Sequence, residues 1–98
     1  MFIKVLITRN FKKENIHNAN YHNVQIRALA MVQPGYISGE TMTSLNNPNE
    51  MIIVSTWESK EQWDSWYESS IRKDYYDKLK ADLESDEKLA FFTISSTK

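Results

Sequence analysis

The run Tyr36-Ile37-Ser38-Gly39-Glu40-Thr41-Met42-Thr43-Ser44-Leu45 is followed by Asn46-Asn47-Pro48-Asn49, and then by Met51-Ile52-Ile53-Val54-Ser55-Thr56-Trp57. Two stretches with the β-branched and aromatic character of strands, separated by Asn and Pro, read as a β-hairpin. Side chains alternate along a strand. Tyr36, Ser38, Glu40, Met42 and Ser44 should therefore share one face, and Ile37, Gly39, Thr41, Thr43 and Leu45 the other. Ile52, Ile53 and Val54 are apolar at consecutive positions, which predicts a third strand buried on both faces.

Working toward the N-terminus, Gln33-Pro34-Gly35 is a stop: proline disfavours helix before it, and glycine supplies a tight turn. The segment Lys13–Val32 before it contains neither residue. Ile16, Ala19, Asn23, Ile26 and Ala30 recur on one helical face, with Leu29 beside it, so this is helix one. Its first half is rich in Asn, a poor helix former. Phe2–Thr8 is β-branched with a single charge and reads as a central strand.

Working toward the C-terminus, Ser59-Lys60-Glu61-Gln62 has the form of a capping box, with Ser59 as N-cap and Gln62 three residues on. Trp63, Trp66 and Tyr67 then form an aromatic stripe. Ser69-Ser70 marks a bend, and a second helical segment with Ile71, Tyr75, Leu79 and Leu83 at spacing four runs to about Ser85. Leu89–Ser96 reads as the last strand, with Phe91 and Phe92 on opposite faces.

The order β-α-β-β-α-β is the α+β, ferredoxin-like pattern: a four-stranded antiparallel sheet with the helices on one face. The other face is left without cover from the chain, which predicts a homodimer with sheets packed face to face.

The 98 residues suit a single domain spanning 1–98. Lys plus Arg is 12 and Asp plus Glu is 13, a net charge of −1. That balance argues against nucleic-acid binding driven by bulk charge. With no cysteine, disulfide frameworks and thiolate-held metals drop out. No apolar run approaches the ~20 residues of a membrane helix, and Met1–Arg9 lacks the features of a signal peptide. A cytoplasmic domain without membrane contact is the expectation. The aromatic load, 12%, exceeds what so small a core needs, so part of it should line a cavity or an interface.

Gln33–Thr41, Asn47-Pro48-Asn49-Glu50 and Ser55–Trp66, with Trp57 and Trp66 nine positions apart, resemble the antibiotic biosynthesis monooxygenase family of dimeric α/β barrels. The resemblance covers nearly the whole chain in element order and is most specific from Gln33 to Trp66. It implies a pocket between sheet and helices in each protomer, and an oxidoreductase activity. Family activities include cofactor-independent oxygenation of phenols, quinol oxidation and haem degradation. The position matching the haem-ligating His falls on Tyr76, and the family's strand-one Asn has no clear match, so haem degradation is the weaker implication.

Within that frame, Trp66 is the leading candidate catalytic residue, with an indole N–H that can donate to a substrate oxygen. Tyr76 can hydrogen-bond an oxyanion or relay a proton, and Arg72 one turn earlier can stabilise a phenolate. Tyr75, Trp63 and His22 are candidate substrate-binding residues. Each has an ordinary alternative: core packing for the tryptophans, amphipathic surface positions for the tyrosines, and solvent for Arg72 and His22. His17 and His22 are five apart and share no helical face, so no metal site is expected. Nucleotide-cradling glycine loops and nucleophile elbows are missing from the sequence. The expectation is a cofactor-independent monooxygenase of a small aromatic, a phenol or quinol. The alternative is a non-catalytic dimer that binds a small hydrophobic ligand.

Overall fold

The structure is a computed structural model and describes residues 1–95. Strands β1 (Ile3–Asn10), β2 (Tyr36–Thr43), β3 (Glu50–Trp57) and β4 (Lys88–Thr93) form one antiparallel sheet in the order β2-β3-β1-β4. Helix α1 (Ile16–Met31) joins β1 to β2, while α2 (Lys60–Tyr67) and α3 (Ser70–Lys80) join β3 to β4. This is the ferredoxin-like arrangement, with β1 central and β2–β3 a hairpin, as their composition predicts. The predicted end of the last strand at Ser96 lies outside the described residues.

Helix boundaries follow local chemistry. Only Lys13–Asn15 at the start of the predicted first helix form a 3₁₀ turn; the α-helix begins at Ile16 and takes in the Asn-rich stretch His17–Asn23. The Ser59 hydroxyl caps α2 by accepting from the Gln62 N–H at 3.2 Å. It donates in turn to Gln62 Oε1 at 3.0 Å, where a full capping box would have the Gln side chain reach the Ser backbone N–H. Ser69 does the same service for α3, accepting from the Arg72 N–H at 3.2 Å. The Ser69-Ser70 bend is therefore a cap between two helices.

Two predicted facings change. Tyr36 pairs with Trp57, but Ser38 pairs with Thr56, so a bulge lies between them. The extra residue puts Tyr36 on the opposite face from Ser38, toward the helices. Its ring meets Trp57 edge-on at 5.4 Å. Gly39, on the same face, makes room: a Cβ there would collide with the Tyr36 hydroxyl. The second change is in α3. Ile71 is 54% exposed, and the inward face carries Arg72 and Leu79.

The core lies between sheet and helices. It includes Val5 and Ile7 from β1, Met51, Ile53 and Trp57 from β3, Ala19 and Ile26 from α1, Trp63 and Trp66 from α2, and Leu79 from α3. Ile52 and Val54 point to the other face and are only half-buried, so within one chain β3 is fully covered on one side alone. Leu6, Ala90, Met42 and Phe92 share that open face by register.

Gly35 holds the turn into β2 at φ +90°, a region costly for any residue with a Cβ. Its carbonyl accepts from the Glu58 N–H at 2.8 Å. A Cβ there would lie 2.5 Å from Gln62 side-chain atoms. Gly35→Ala is therefore expected to lower stability by about 1–2 kcal/mol through backbone strain, with a further loss from the disturbed cap of α2. Urea denaturation of the two proteins measures it.

Candidate functional site

Between α1, α2, α3 and the sheet lies a cavity, with Ile7 and Arg9 of β1 and Ile53, Ser55 and Trp57 of β3 on its sheet side. Asn23, Ile26 and Arg27 come from α1, Trp63 and Trp66 from α2, and Arg72 from α3. The cavity opens to solvent through a mouth. The part open to the centre of a water molecule is only about 30 Å³, room for one or two waters.

The aromatic wall is rigidly packed. Trp63 meets Trp57 edge-on at 5.6 Å, stacks on Tyr67 at 5.7 Å and meets Phe91 at 6.1 Å. The Trp57 indole N–H is committed to Ser55 Oγ at 3.0 Å. Trp66 is 3% exposed and lines the cavity.

The polar wall is a buried ion network. Glu87, just before β4, receives Arg9 Nε at 3.1 Å and Nη2 at 3.0 Å on one carboxylate oxygen, and Arg72 Nη2 at 3.0 Å on the other. Arg9 Nη1 donates to Asn23 Oδ1 at 2.7 Å, and the Asn23 amide nitrogen reaches Met51 Sδ at 3.1 Å. The Arg9, Arg72 and Glu87 side chains are 5% exposed or less. Burial pulls the Arg9 guanidinium below its ordinary value and Glu87 pulls it back; it stays charged at neutral pH. The Arg72 guanidinium also lies over the rings of Tyr67 at 4.8 Å and Trp63 at 5.6 Å, a cation–π arrangement.

Of the six sequence candidates, Trp66, Trp63 and Arg72 meet at the cavity. The other three do not line it. Tyr76 lines a separate shallow groove with Tyr67, Lys73 and Asp77, beyond Arg72. Its hydroxyl accepts from the Glu87 N–H at 3.0 Å and donates to Asp86 Oδ1 at 3.3 Å, and its ring lies under the Arg72 guanidinium at 5.9 Å, so it reaches the cavity through Glu87 and Arg72. His22 and Tyr75 lie on the α1–α3 seam. His22 Nδ1 is 2.8 Å from Asp82 Oδ2, and its ring meets Tyr75 edge-on at 5.8 Å. The helical rotation that turns Arg72 inward carries Tyr75 round toward α1.

Sequence pattern gives no role to Arg9 or Arg27, marks Asn23 only as a member of the helix-one face, and reads the mixed-sign run from Arg72 to Lys88 as a solvated face, whereas Arg72 and Glu87 are buried together in an ion pair. Two signals were available: Asn23 sits on an otherwise apolar stripe, and Arg9 continues the inward alternation of Val5 and Ile7. The position of Glu87, 78 residues from Arg9, has no local signature.

The sequence model of the antibiotic biosynthesis monooxygenase family matches residues 3–78. No curated protein matches the chain. Among solved structures, the chain is similar to SnoaB, a cofactor-independent oxygenase from Streptomyces nogalater, at 11% identity and TM-score 0.88, over 98% of this chain and 95% of that one. It is similar to a conserved protein from Methanosarcina mazei Go1 at 16% identity and TM-score 0.86, over 94% and 91%. It is also similar to Rv0793 from Mycobacterium tuberculosis at 10% identity and TM-score 0.87, over 99% and 98%. At these identities the likeness is one of fold.

Two outcomes follow from the network. Glu87→Gln leaves two buried guanidiniums without their carboxylate and should cost about 3 kcal/mol or more, read from urea denaturation. Asp64→Asn, which breaks the exposed Lys60–Asp64 pair, should leave the midpoint nearly unchanged. In alkali, burial raises the phenols of Tyr76 and Tyr75 above the ordinary value. Above about pH 10 the unfolded chain then loses protons that the folded chain keeps, so stability falls with rising pH. Tyr75→Phe combined with Tyr76→Phe should flatten that fall in thermal unfolding measured across pH 9–11 (roughly the tyrosine range).

Proposed function

The chain belongs to the antibiotic biosynthesis monooxygenase family, and from that membership we propose that it is a cofactor-independent monooxygenase of a small electron-rich aromatic, a phenol or quinol. The observation that carries the reading is the cavity itself: a small apolar space with an indole and a guanidinium on its wall, Trp66 and Arg72. One structurally similar protein, SnoaB, is described as a cofactor-independent oxygenase, which supports the same chemistry.

In such a reaction the substrate is the electron donor. A phenol deprotonates to its phenolate, which transfers electrons to O₂. One oxygen atom enters the ring at a C–H position to make the quinone carbonyl. The other leaves as water, taking up the phenolic proton and the ring proton. Phenol plus O₂ thus gives quinone plus water, and all four electrons come from the ring. The protein's contribution is to favour the phenolate and to keep bulk water from the reduced-oxygen intermediate. The Trp66 N–H is the proposed donor to the phenolate oxygen, the positive charge of Arg72 favours the anion, and the Trp63 ring flanks the substrate. Tyr76 is a positioning residue, holding the Glu87 backbone that sets Arg9 and Arg72.

The volume narrows the substrate. At about 30 Å³ the cavity admits even a single ring only if its wall moves, and a fused polycycle requires a larger opening. We also propose that two copies pair through the open sheet face. Leu6, Met42, Ile52, Val54, Ala90 and Phe92 supply an apolar patch there, and Met42 and Phe92 are 46% and 55% exposed in the single chain.

Oxygen consumption by purified protein with monocyclic quinols and phenols tests the reaction. The expected result is uptake above a heat-denatured control, reduced about 10-fold or more in Trp66→Phe, which loses a donor to the developing charge. Uptake unaltered by Trp66→Phe would take Trp66 out of the mechanism, and bound substrate with no uptake would leave a binding protein. For assembly, sedimentation should give twice the chain mass, and Val54→Asp should shift the protein toward monomer by burying a charge in the patch.

A further inference from the structure

The cavity carries more positive charge than its own partners neutralise. Among the described residues, three guanidiniums line it, those of Arg9, Arg27 and Arg72, and no carboxylate does. The one carboxylate within reach, Glu87, stands behind the wall and is shared by Arg9 and Arg72. Arg27 spends one Nη2 bond on the Gly39 carbonyl at 2.8 Å, a neutral acceptor. Three cations against one anion leave a surplus of two charges around an apolar space, where uncompensated charge is costly.

The hydrogen-bond inventory points to the same place. Two buried side-chain nitrogens have no partner among the described residues, Arg27 Nε and Arg72 Nε, and both residues line this cavity, Arg27 bordering also a groove along α1 and Arg72 the groove at Tyr67 and Tyr76. Arg72 as a residue is only 3% exposed. Buried polar groups are nearly always satisfied in the working state of a protein, so orphaned guanidinium N–H groups beside a cavity mark where an acceptor binds. Guanidinium donors fit carboxylate oxygens well in geometry and charge. The remaining wall, Trp63 and Trp66, is flat and apolar.

We infer that the cavity is an anion site, and that its substrate is a single-ring aromatic bearing a carboxylate, bound through the Arg27 and Arg72 side chains with the ring against the tryptophans. The oxidisable hydroxyl of that ring rests on the oxygenase reading above; the charge selection does not.

Isothermal calorimetry on the full chain at pH 7, with 4-hydroxybenzoate against 4-hydroxybenzyl alcohol, separates charge from shape. The carboxylate is expected to bind about tenfold tighter or more, the worth of a charge-assisted hydrogen bond. Arg27→Met, at a half-buried position outside the Glu87 network, should remove most of that preference while its thermal unfolding stays cooperative. Arg72→Met should do the same, but it also disturbs Glu87, so Arg27→Met is the deciding variant. Equal affinity for the two ligands, or a preference untouched by Arg27→Met, overturns the inference. So does binding of 4-nitrophenol that rises as it ionises while 4-hydroxybenzoate binds no better than the alcohol, because the anion recognised is then a phenolate. Oxygen uptake with neutral quinols and no carboxylate preference would sink this inference and leave the oxygenase. A carboxylate preference without any uptake would do the reverse.

Discussion

A single carboxylate organises the interior. Glu87 enters from the start of β4 and meets Arg9 of β1 and Arg72 of α3, each at 3.0 Å. The pairing joins the centre of the sheet, its edge and the last helix through groups that cannot be left buried alone. It also explains the rotation of α3. An apolar stripe read at spacing four would turn Ile71 inward, but the ion network turns Arg72 inward instead, because a charged partner at a fixed site outweighs one exposed isoleucine. Tyr76, one turn on, is then placed to accept from the Glu87 backbone N–H, and Leu79 to close the core.

Against this polar network packs an aromatic wall, over which the Arg72 guanidinium lies. Trp57 ends β3, Trp63 begins α2, and their rings meet edge-on. Tyr36 joins them only because a bulge after it reverses its facing, and Gly39 leaves the space its hydroxyl occupies. Offset and edge-on aromatic packing of this kind is directional, so the wall keeps its shape and the cavity stays small. The site is consequently divided between flat apolar rings and cationic groups, which meet where Arg72 lies over Trp63. An aromatic ring with an anionic substituent has that same division.

The two faces of the sheet have different chemistry. Toward the helices, β1 presents Val5, Ile7 and Arg9, so the site is built into the core and shares its rigidity. Away from them it presents Lys4, Leu6 and Thr8, beside Ile52 and Val54 of β3. Period-two alternation on two central strands thus separates a surface suited to chemistry from one suited to association.

Much of this was legible in the chain. The hairpin, the Pro-Gly stop, the Ser59 cap, the bend at Ser69-Ser70 and the order of elements are encoded within a few residues of where they act. They depend on local hydrogen bonding and side-chain period, and the Trp57–Trp66 spacing carried the family resemblance. The aromatic half of the site followed from it, since Trp63 and Trp66 lie on one helix. The cationic half did not. Asn23 and Arg9 left faint marks as polar residues at inward positions, but an inward arginine has meaning only when its counter-charge is known. That counter-charge is 78 residues away, just before a strand whose neighbour is fixed by sheet order. Local sequence therefore determined which elements form. Only their packing decided which charges meet, because ion pairing depends on distance in space and leaves no period in the sequence.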